Sequence, residues 1–282
     1  MPKFKMRRRT TAILIVFLFL LTFIGYGMFV EPFKISISHF SFDVEGFSNL
    51  SIRIVLIGDM HVGNRREMKF LSKVVNEINY YQPDIILLVG DFINYYEEEI
   101  QFLGPLKNLT AKYGVYAVLG NHDYGYGYHN KELANKVEVK LENMNINVLR
   151  NENVLIEINK TQFYIIGLDS ILAGECNLTQ ATINVKEDIP KILLCHNPDV
   201  VFINGTENFD LILSGHTHGG AINLPLIGPV FKVTKLERKY YHGFHEINGR
   251  KIYVTRGIGS RVLYFFNFRL NAPPEIVVIE LY

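Results

Sequence analysis

The side chains in five short segments are of the kinds that hold divalent cations. "GDMH" supplies Asp59 and His61, "GDFIN" supplies Asp91, and "GNHD" supplies Asn121 and His122. "CHNPD" adds His196, and "GHTH" adds His216 and His218. Carboxylates, imidazoles and an amide oxygen suit hard to borderline divalent ions. In an extended D-x-H or H-x-H segment, residues two apart face the same side, so both members of a pair can reach one site. A single segment of this kind would read as a turn or a hydrogen-bonded histidine, since Gly, Asn and Asp favour turns. Five of them, each closing an apolar run, point to a common site.

Those apolar runs are the elements that must position the ligands. "IRIVLIGD", "DIILLVGD", "VYAVLGNHD", "KILLCHNPD" and "LILSGHTH" each stop at a polar cluster. Continuous apolar runs of this length read as strands covered on both faces. Between the first two, Met68, Leu71, Val74, Val75 and Ile78 recur at helical spacing, and Leu133, Val137, Leu141 and Met144 do so later. "TQFYIIGLDS" and "KIYVTRGIGS" read as strands of a second sheet. Strand, helix, strand order predicts a layered α/β domain over residues 51–282, with function at the carboxyl ends of strands. Residues 31–50 read as a lead-in with some strand character.

The N-terminus is of another kind. Residues 1–10 carry Lys3, Lys5, Arg7, Arg8 and Arg9 and no acid, and residues 11–30 carry no charge at all. Twenty helical residues span about 30 Å, the thickness of a bilayer core. The spacing predicts one transmembrane helix over 11–30, a cytoplasmic N-terminus and an extracytoplasmic catalytic domain. A signal peptide cleaved near Gly25 and Gly27 is the rival reading. The net charge of +1 over 282 residues argues against nucleic acid as a partner. Two cysteines, Cys176 and Cys195, do not make a disulfide framework, and Cys195 reads as a buried thiol.

The order D-x-H, GD-x-x-N, GNHD, a lone His and GH-x-H resembles the calcineurin-like metallophosphoesterase superfamily over residues 51–282. The resemblance implies a four-layer α/β/β/α sandwich with two divalent metal ions, which would be Mn²⁺, Zn²⁺ or Fe, a choice that mixed oxygen and nitrogen ligands leave open. Asp59, His61, Asp91 and His218 would hold one ion. Asp91, Asn121, His196 and His216 would hold the other, and Asp91 would bridge them. His122 would be catalytic, contacting the scissile phosphate or protonating the leaving oxygen. Related phosphatases orient that histidine with an Asp three residues after the bridging Asp; here that position is Asn94, which brings no charge.

"GHTHGGAINLPLIGP" and the C-terminal stretch from Tyr253 resemble a membrane-anchored bacterial branch similar to UDP-2,3-diacylglucosamine hydrolases of lipid A biosynthesis. That implies a phosphoester or pyrophosphate substrate, lipid-linked or carried on a nucleotide sugar. A general envelope phosphodiesterase or phosphatase is the alternative, and a non-catalytic metal-binding scaffold a further one. A UDP-linked precursor is cytoplasmic, whereas the charge rule places the domain outside. Arg65, Arg66, Arg256 and Arg261 are candidate substrate contacts, or plain surface arginines. Tyr124, Tyr126 and Tyr128 are candidates for a substrate rim. "LIGPVF" and "VLYFFNF" together would make a greasy lip, with Val262–Phe268 read more simply as a core strand.

Overall fold

The computed structural model describes residues 8–45, 47, 51–259 and 267–282. Arg261 and most of "VLYFFNF" therefore lie outside the described residues.

Helix α1 (Arg8–Phe29) has 22 residues. Its apolar side chains from Ile13 to Leu21 are exposed, and it is long and apolar enough to cross a membrane. Next come β1 (Ser36–Phe42), β2 (Ile52–Ile57), α2 (Arg65–Tyr80), β3 (Ile85–Val89), β4 (Val115–Val118), α3 (Lys131–Glu142) and β5 (Ile146–Val148). After β6 (Glu152–Ile158), β7 (Thr161–Gly167) and α4 (Leu178–Ala181) come β8 (Lys191–Leu194) and β9 (Leu211–Ser214). The short pair β10 (Asn223–Leu224) and β11 (Gly228–Pro229) precedes β12 (Gly243–Ile247), β13 (Arg250–Val254) and β14 (Glu275–Leu281).

Two six-stranded sheets result, in the orders β1-β14-β2-β3-β4-β5 and β12-β13-β9-β8-β7-β6. β2 to β5 run parallel, as do β7, β8, β9 and β13. Because successive side chains point to opposite faces, the central strands each feed two cores. Ile54, Leu56, Leu87 and Val118 face Ile192, Leu194, Leu211 and Leu213 between the sheets. Val55, Ile57, Ile86 and Leu88 point the other way, onto Leu71, Val74 and Ile78 of α2 and Leu133, Val137 and Leu141 of α3. Behind the second sheet, Leu193, Ile212 and Val254 are covered by Ala181, Val200 and Val201. This is the four-layer α/β/β/α sandwich. Its fourth layer is thin: among the described residues it consists of the four-residue α4 and 3₁₀ turns, one of them opened by Pro198.

The helices begin where side-chain caps allow. The Asn64 side chain accepts from the N–H groups of Arg66 and Glu67, and Asn130 accepts from that of Leu133. Residues 31–50 do more than lead in. Ser36–Phe42 pairs in full with Glu275–Leu281, so β1 covers what would be an open apolar edge of β14. Cys195 is buried and unpaired, and burial pushes its thiol well above the ordinary value.

Candidate dinuclear metal centre

All five chemical segments leave the carboxyl ends of parallel strands. Asp59 and His61 follow β2, Asp91 follows β3, and Asn121 and His122 follow β4; His196 follows β8, and His216 and His218 follow β9. The two sheets thus bring five segments of side chain to one end of the sandwich. The extended geometry expected for the D-x-H and H-x-H pairs is not what aligns them. Asp59 (φ 49°), His61 (46°), Asp91 (54°), His216 (70°) and His218 (52°) all take left-handed backbone conformations. Such a conformation is uncommon outside glycine and costs on the order of 1–3 kcal/mol per residue. Glycines make the turns possible by close approach. A Cβ on Gly120 would collide with Asp91, and one on Gly215 with Asp59.

The polar atoms converge in three overlapping groups: Asp59, His61 and His218; His61, Asp91 and His122; and Asp91, His196 and His216. In each group one donor atom per residue lies within 4.8 Å of the others. Asp91 Oδ2 is 3.2 Å from His196 Nε2, 3.5 Å from His61 Nε2 and 4.0 Å from His122 Nε2. His61 Nε2 and His218 Nε2 are 3.2 Å apart, and His216 Nδ1 and His196 Nε2 are 3.3 Å apart. Two neutral ring nitrogens aimed at one point are reconciled by a shared proton or by a cation between them. Asn121 adds a second sign. Its side chain is 1% exposed, and neither Oδ1 nor Nδ2 has a hydrogen-bond partner among the described residues. A buried amide in that state loses free energy unless something else takes its oxygen. The donor set therefore fits divalent ions.

The outer contacts fix which nitrogen faces the centre. His196 Nδ1–H donates to the Val89 carbonyl at 2.7 Å, leaving Nε2 for the site. His216 is reversed: Nε2–H donates to Val233 O at 3.1 Å, and Nδ1 faces inward. Second-sphere partners of this kind set the tautomer of a metal-facing histidine.

Electrostatics follow from burial and from the density of charge. Burial pushes Asp59 up to about 7. Burial also opposes ionisation of Asp91, yet His196 and His122 hold its carboxyl well below the ordinary carboxylate range. Burial lowers His196, but the adjoining Asp91 and Asp59 outweigh it and raise it to about 10. Burial, then the neighbouring His196, depresses His216 to about 4; burial and His61 put His218 well below its usual value. Two of the imidazoles are thus neutral near pH 7, with lone pairs available as ligands.

His122 is oriented in a way the sequence conceals. Its Nδ1–H donates to the main-chain carbonyl of Asn94 at 2.8 Å. The Asn94 side chain is occupied elsewhere, donating to His61 O and to Glu99. Position 94 does orient the histidine, but through its backbone. Tyr95, also unforeseen, stacks on His122 at 4.3 Å between ring centroids and brings its hydroxyl to 3.5 Å from Nε2.

The candidate substrate contacts fare differently. Arg65 is an exposed residue at the start of α2, and Arg66 lies over the Phe33 ring. Arg256 pairs with Glu275 at 3.1 Å and donates to Ser36. Among the described residues, no hydrogen bond or ion pair joins the side chain of Arg65 or Arg256 to the histidine–aspartate cluster. Among the described residues, an arginine does stand beside the cluster, and it is Arg269. It is fully buried, with Nη2 3.5 Å from His218 Nδ1. It donates to the carbonyls of Arg256, Gly257, Gly259 and Ala272, clamping the loop that packs on Asp59 and Met60. Of the three tyrosines after "GNHD", Tyr124 is no rim residue: it is buried and donates to Asp169 at 2.6 Å. Tyr126 is exposed. Asp123 is the other omission. It stands in the quoted "GNHD", is fully buried, and accepts from the N–H groups of Asp91, Phe92, Ile93 and Gly120.

Facing sheets whose strand ends close a histidine–aspartate cage define a metal-dependent phosphoesterase. Residues 52–220 match the calcineurin-like phosphoesterases, and the chain belongs to that family. It is 31% identical to phosphodiesterase YaeI of Escherichia coli, over 81% of this chain and 82% of that one. It is 27% identical to the UDP-2,3-diacylglucosamine pyrophosphatase LpxG of Chlamydia muridarum, over 81% and 83%. A metallophosphoesterase of Campylobacter jejuni is 30% identical over 86% of this chain, which spans 62% of that longer protein.

Proposed function

We propose that the chain is a membrane-anchored dinuclear phosphoester hydrolase acting on a lipid-linked or nucleotide-sugar pyrophosphate such as UDP-2,3-diacylglucosamine. In this reading Asp59, His61, Asp91 and His218 hold one ion. Asp91, Asn121, His196 and His216 hold the other, with Asp91 shared. The observation that carries it is the position of Asp91 Oδ2, within 4.0 Å of one ring nitrogen from each of His61, His122 and His196.

Bound divalent ions supply phosphoryl polarisation and a water acidified toward neutral pH. The protein's own groups do the rest. His122 keeps its Nδ1 proton on Asn94 O, so in its imidazolium form only Nε2–H is free to pass to a leaving oxygen. The Tyr95 hydroxyl beside that nitrogen steadies the same oxygen. α1 holds the domain at the membrane; the basic N-terminus favours a catalytic domain outside the cytoplasm and an envelope substrate, whereas UDP-2,3-diacylglucosamine requires the domain on the cytoplasmic side. A lipid-linked pyrophosphate is favoured by the likeness to LpxG together with that anchor. The second reading, an envelope phosphodiesterase, is favoured by the likeness to YaeI.

The purified full chain with Mn²⁺ should be assayed on UDP-2,3-diacylglucosamine, a phospholipid and an aryl phosphodiester. The first reading expects kcat/KM for the sugar nucleotide to lead by about tenfold or more. The reverse ranking selects the envelope diesterase, and no hydrolysis of any of the three removes both. A reporter fused to the C-terminus reads the topology.

Two results follow from the site itself. His122→Asn keeps its metals but loses about 10²-fold in kcat on an alkyl diester, and less on a nitrophenyl diester that needs no proton. An equal loss on both would deny His122 the role of acid. Metal uptake by the metal-free protein at pH 7 releases about one to two protons, because His196 and a fraction of Asp59 must give theirs up. Apparent affinity therefore weakens as pH falls below 7. Calorimetric titration in two buffers of different ionisation enthalpy measures the release; identical heats would contradict it.

A further inference from the structure

The loop after the last histidine pair ends in an apolar tip. From Ile222 to Phe231 the chain carries no charge. Leu226 is 108% exposed relative to its reference state and Ile227 64%, and Val230, Phe231 and Val233 are exposed as well. Leu226 sits at φ 68° in the turn of the β10–β11 hairpin, an unfavourable place for a leucine that nothing covers. Lys232, Lys235, Arg238 and Lys239 follow at once, all exposed, with Glu237 the one acid among them. An apolar tip bordered by a basic band is how a protein surface seats itself in an anionic bilayer.

The hairpin also lies in the right place. Its base is bonded to Leu270: Leu270 N–H donates to Ala221 O, and Asn223 N–H donates to Leu270 O, both at 2.9 Å. The preceding residue, Arg269, donates its N–H to Gly27 O in the last turns of α1, at 3.0 Å. The buried Glu31 carboxylate, just past that helix, accepts from Ala272 N–H at 2.7 Å. Two steps of backbone hydrogen bonding thus tie the hairpin to the end of the apolar helix. The same loop supplies Val233 O, which holds His216.

We infer that the Leu226–Ile227 tip inserts into an anionic membrane surface beside α1, seating the mouth of the metal centre at the lipid headgroups. This rests on the reading of α1 as a membrane span. It implies a substrate taken from the bilayer plane, since the segment that fixes His216 is itself in contact with lipid.

The test uses the full chain in phosphatidylcholine–phosphatidylglycerol vesicles, with Cys176→Ser so that only buried Cys195 remains. An environment-sensitive fluorophore is placed in turn at Leu226→Cys, Ile227→Cys, Phe19→Cys in α1, and Lys160→Cys in the exposed β6–β7 turn. Lipids carrying a shallow spin label are expected to quench the Leu226 and Ile227 probes about twofold, with a blue shift, and to leave Lys160 unquenched. A mid-chain label should quench Phe19. Removing phosphatidylglycerol should weaken quenching at Leu226 and not at Phe19. If Phe19 is quenched while both hairpin probes behave like Lys160, the inference is overturned and the anchor stands. If Phe19 is not quenched either, the anchor reading fails and the inference with it. A blue-shifted but unquenched Leu226 probe, with disulfide-linked pairs forming through Leu226→Cys, would assign the tip to a second copy of the chain and also overturn it.

Discussion

Asp91→Ala is expected to lower kcat by about 10³-fold or more while the fold survives, because one carboxylate serves two of the three groups in the cluster. Asp91 Oδ2 meets His61, His122 and His196, and Oδ1 accepts the His122 N–H at 2.8 Å. Alanine removes the shared oxygen from both proposed ion positions at once. The metal content of the purified variant should fall below two ions per chain, read by mass spectrometry beside a circular dichroism spectrum that stays native. The variant also changes the metal-free protein in a definite direction. His196 is raised above its unfolded value by Asp91, so that pairing stabilises the fold fully below about pH 6.5 and is lost as pH rises through about 10. Asp91 is lowered, so its share is present above its unfolded value near 3.8 and is lost as pH falls through its folded one. Near pH 7 both contributions are in force, and the metal-free variant should melt below the metal-free parent there. Two bound ions and undiminished turnover in Asp91→Ala would remove the dinuclear reading.

How far this site could be read from sequence depends on the range of the forces involved. The strand ends were legible because an apolar run that stops at Gly-Asp or Gly-His is a local signal; the five segments do meet at one end of the sandwich. Helices α2 and α3 were legible from 3.6-residue periodicity, while their Asn64 and Asn130 caps emerged only in the fold. What depended on distant pairing was not. Among the described residues, β1 joins the first sheet through β14, more than two hundred residues later. Arg256 looked free because Glu275 lies on another strand, and Arg269 had no motif around it to mark it as a clamp. The left-handed turns at five of the site residues were hidden for a different reason. Local preference opposes them, and they persist because tertiary hydrogen bonds such as Asp59 N–H to Gly90 O and His61 N–H to Asp91 O hold them. Asn94 shows the limit of reading side chains alone, since its useful atom is a carbonyl every residue possesses.

Asp123→Ala should be the most destabilising change near the site, by about 3–5 kcal/mol, although Asp123 belongs to none of the three groups of potential ligands. Its two oxygens accept four N–H groups, at 3.0 Å from Asp91, 2.8 Å from Phe92, 3.2 Å from Ile93 and 2.9 Å from Gly120. Burial and the nearby Asp91 push its carboxyl up to about 7, against the pull of those N–H donors. Alanine would leave all four donors buried with no acceptor, at about 1–3 kcal/mol each before relaxation and water entry reduce the sum. The loss also travels to the chemistry. The loops at the ends of β3 and β4 are joined through this carboxylate, and they carry Asp91, Asn121 and His122. Asp123→Asn has one oxygen left and turns an NH₂ toward backbone N–H groups, so it should fall between alanine and the parent. Urea unfolding gives the stability, and metal titration of the same samples gives the second readout. A Asp123→Ala protein that unfolds at the parental urea midpoint and binds metal with parental affinity would show that these loops hold their shape without the carboxylate between them.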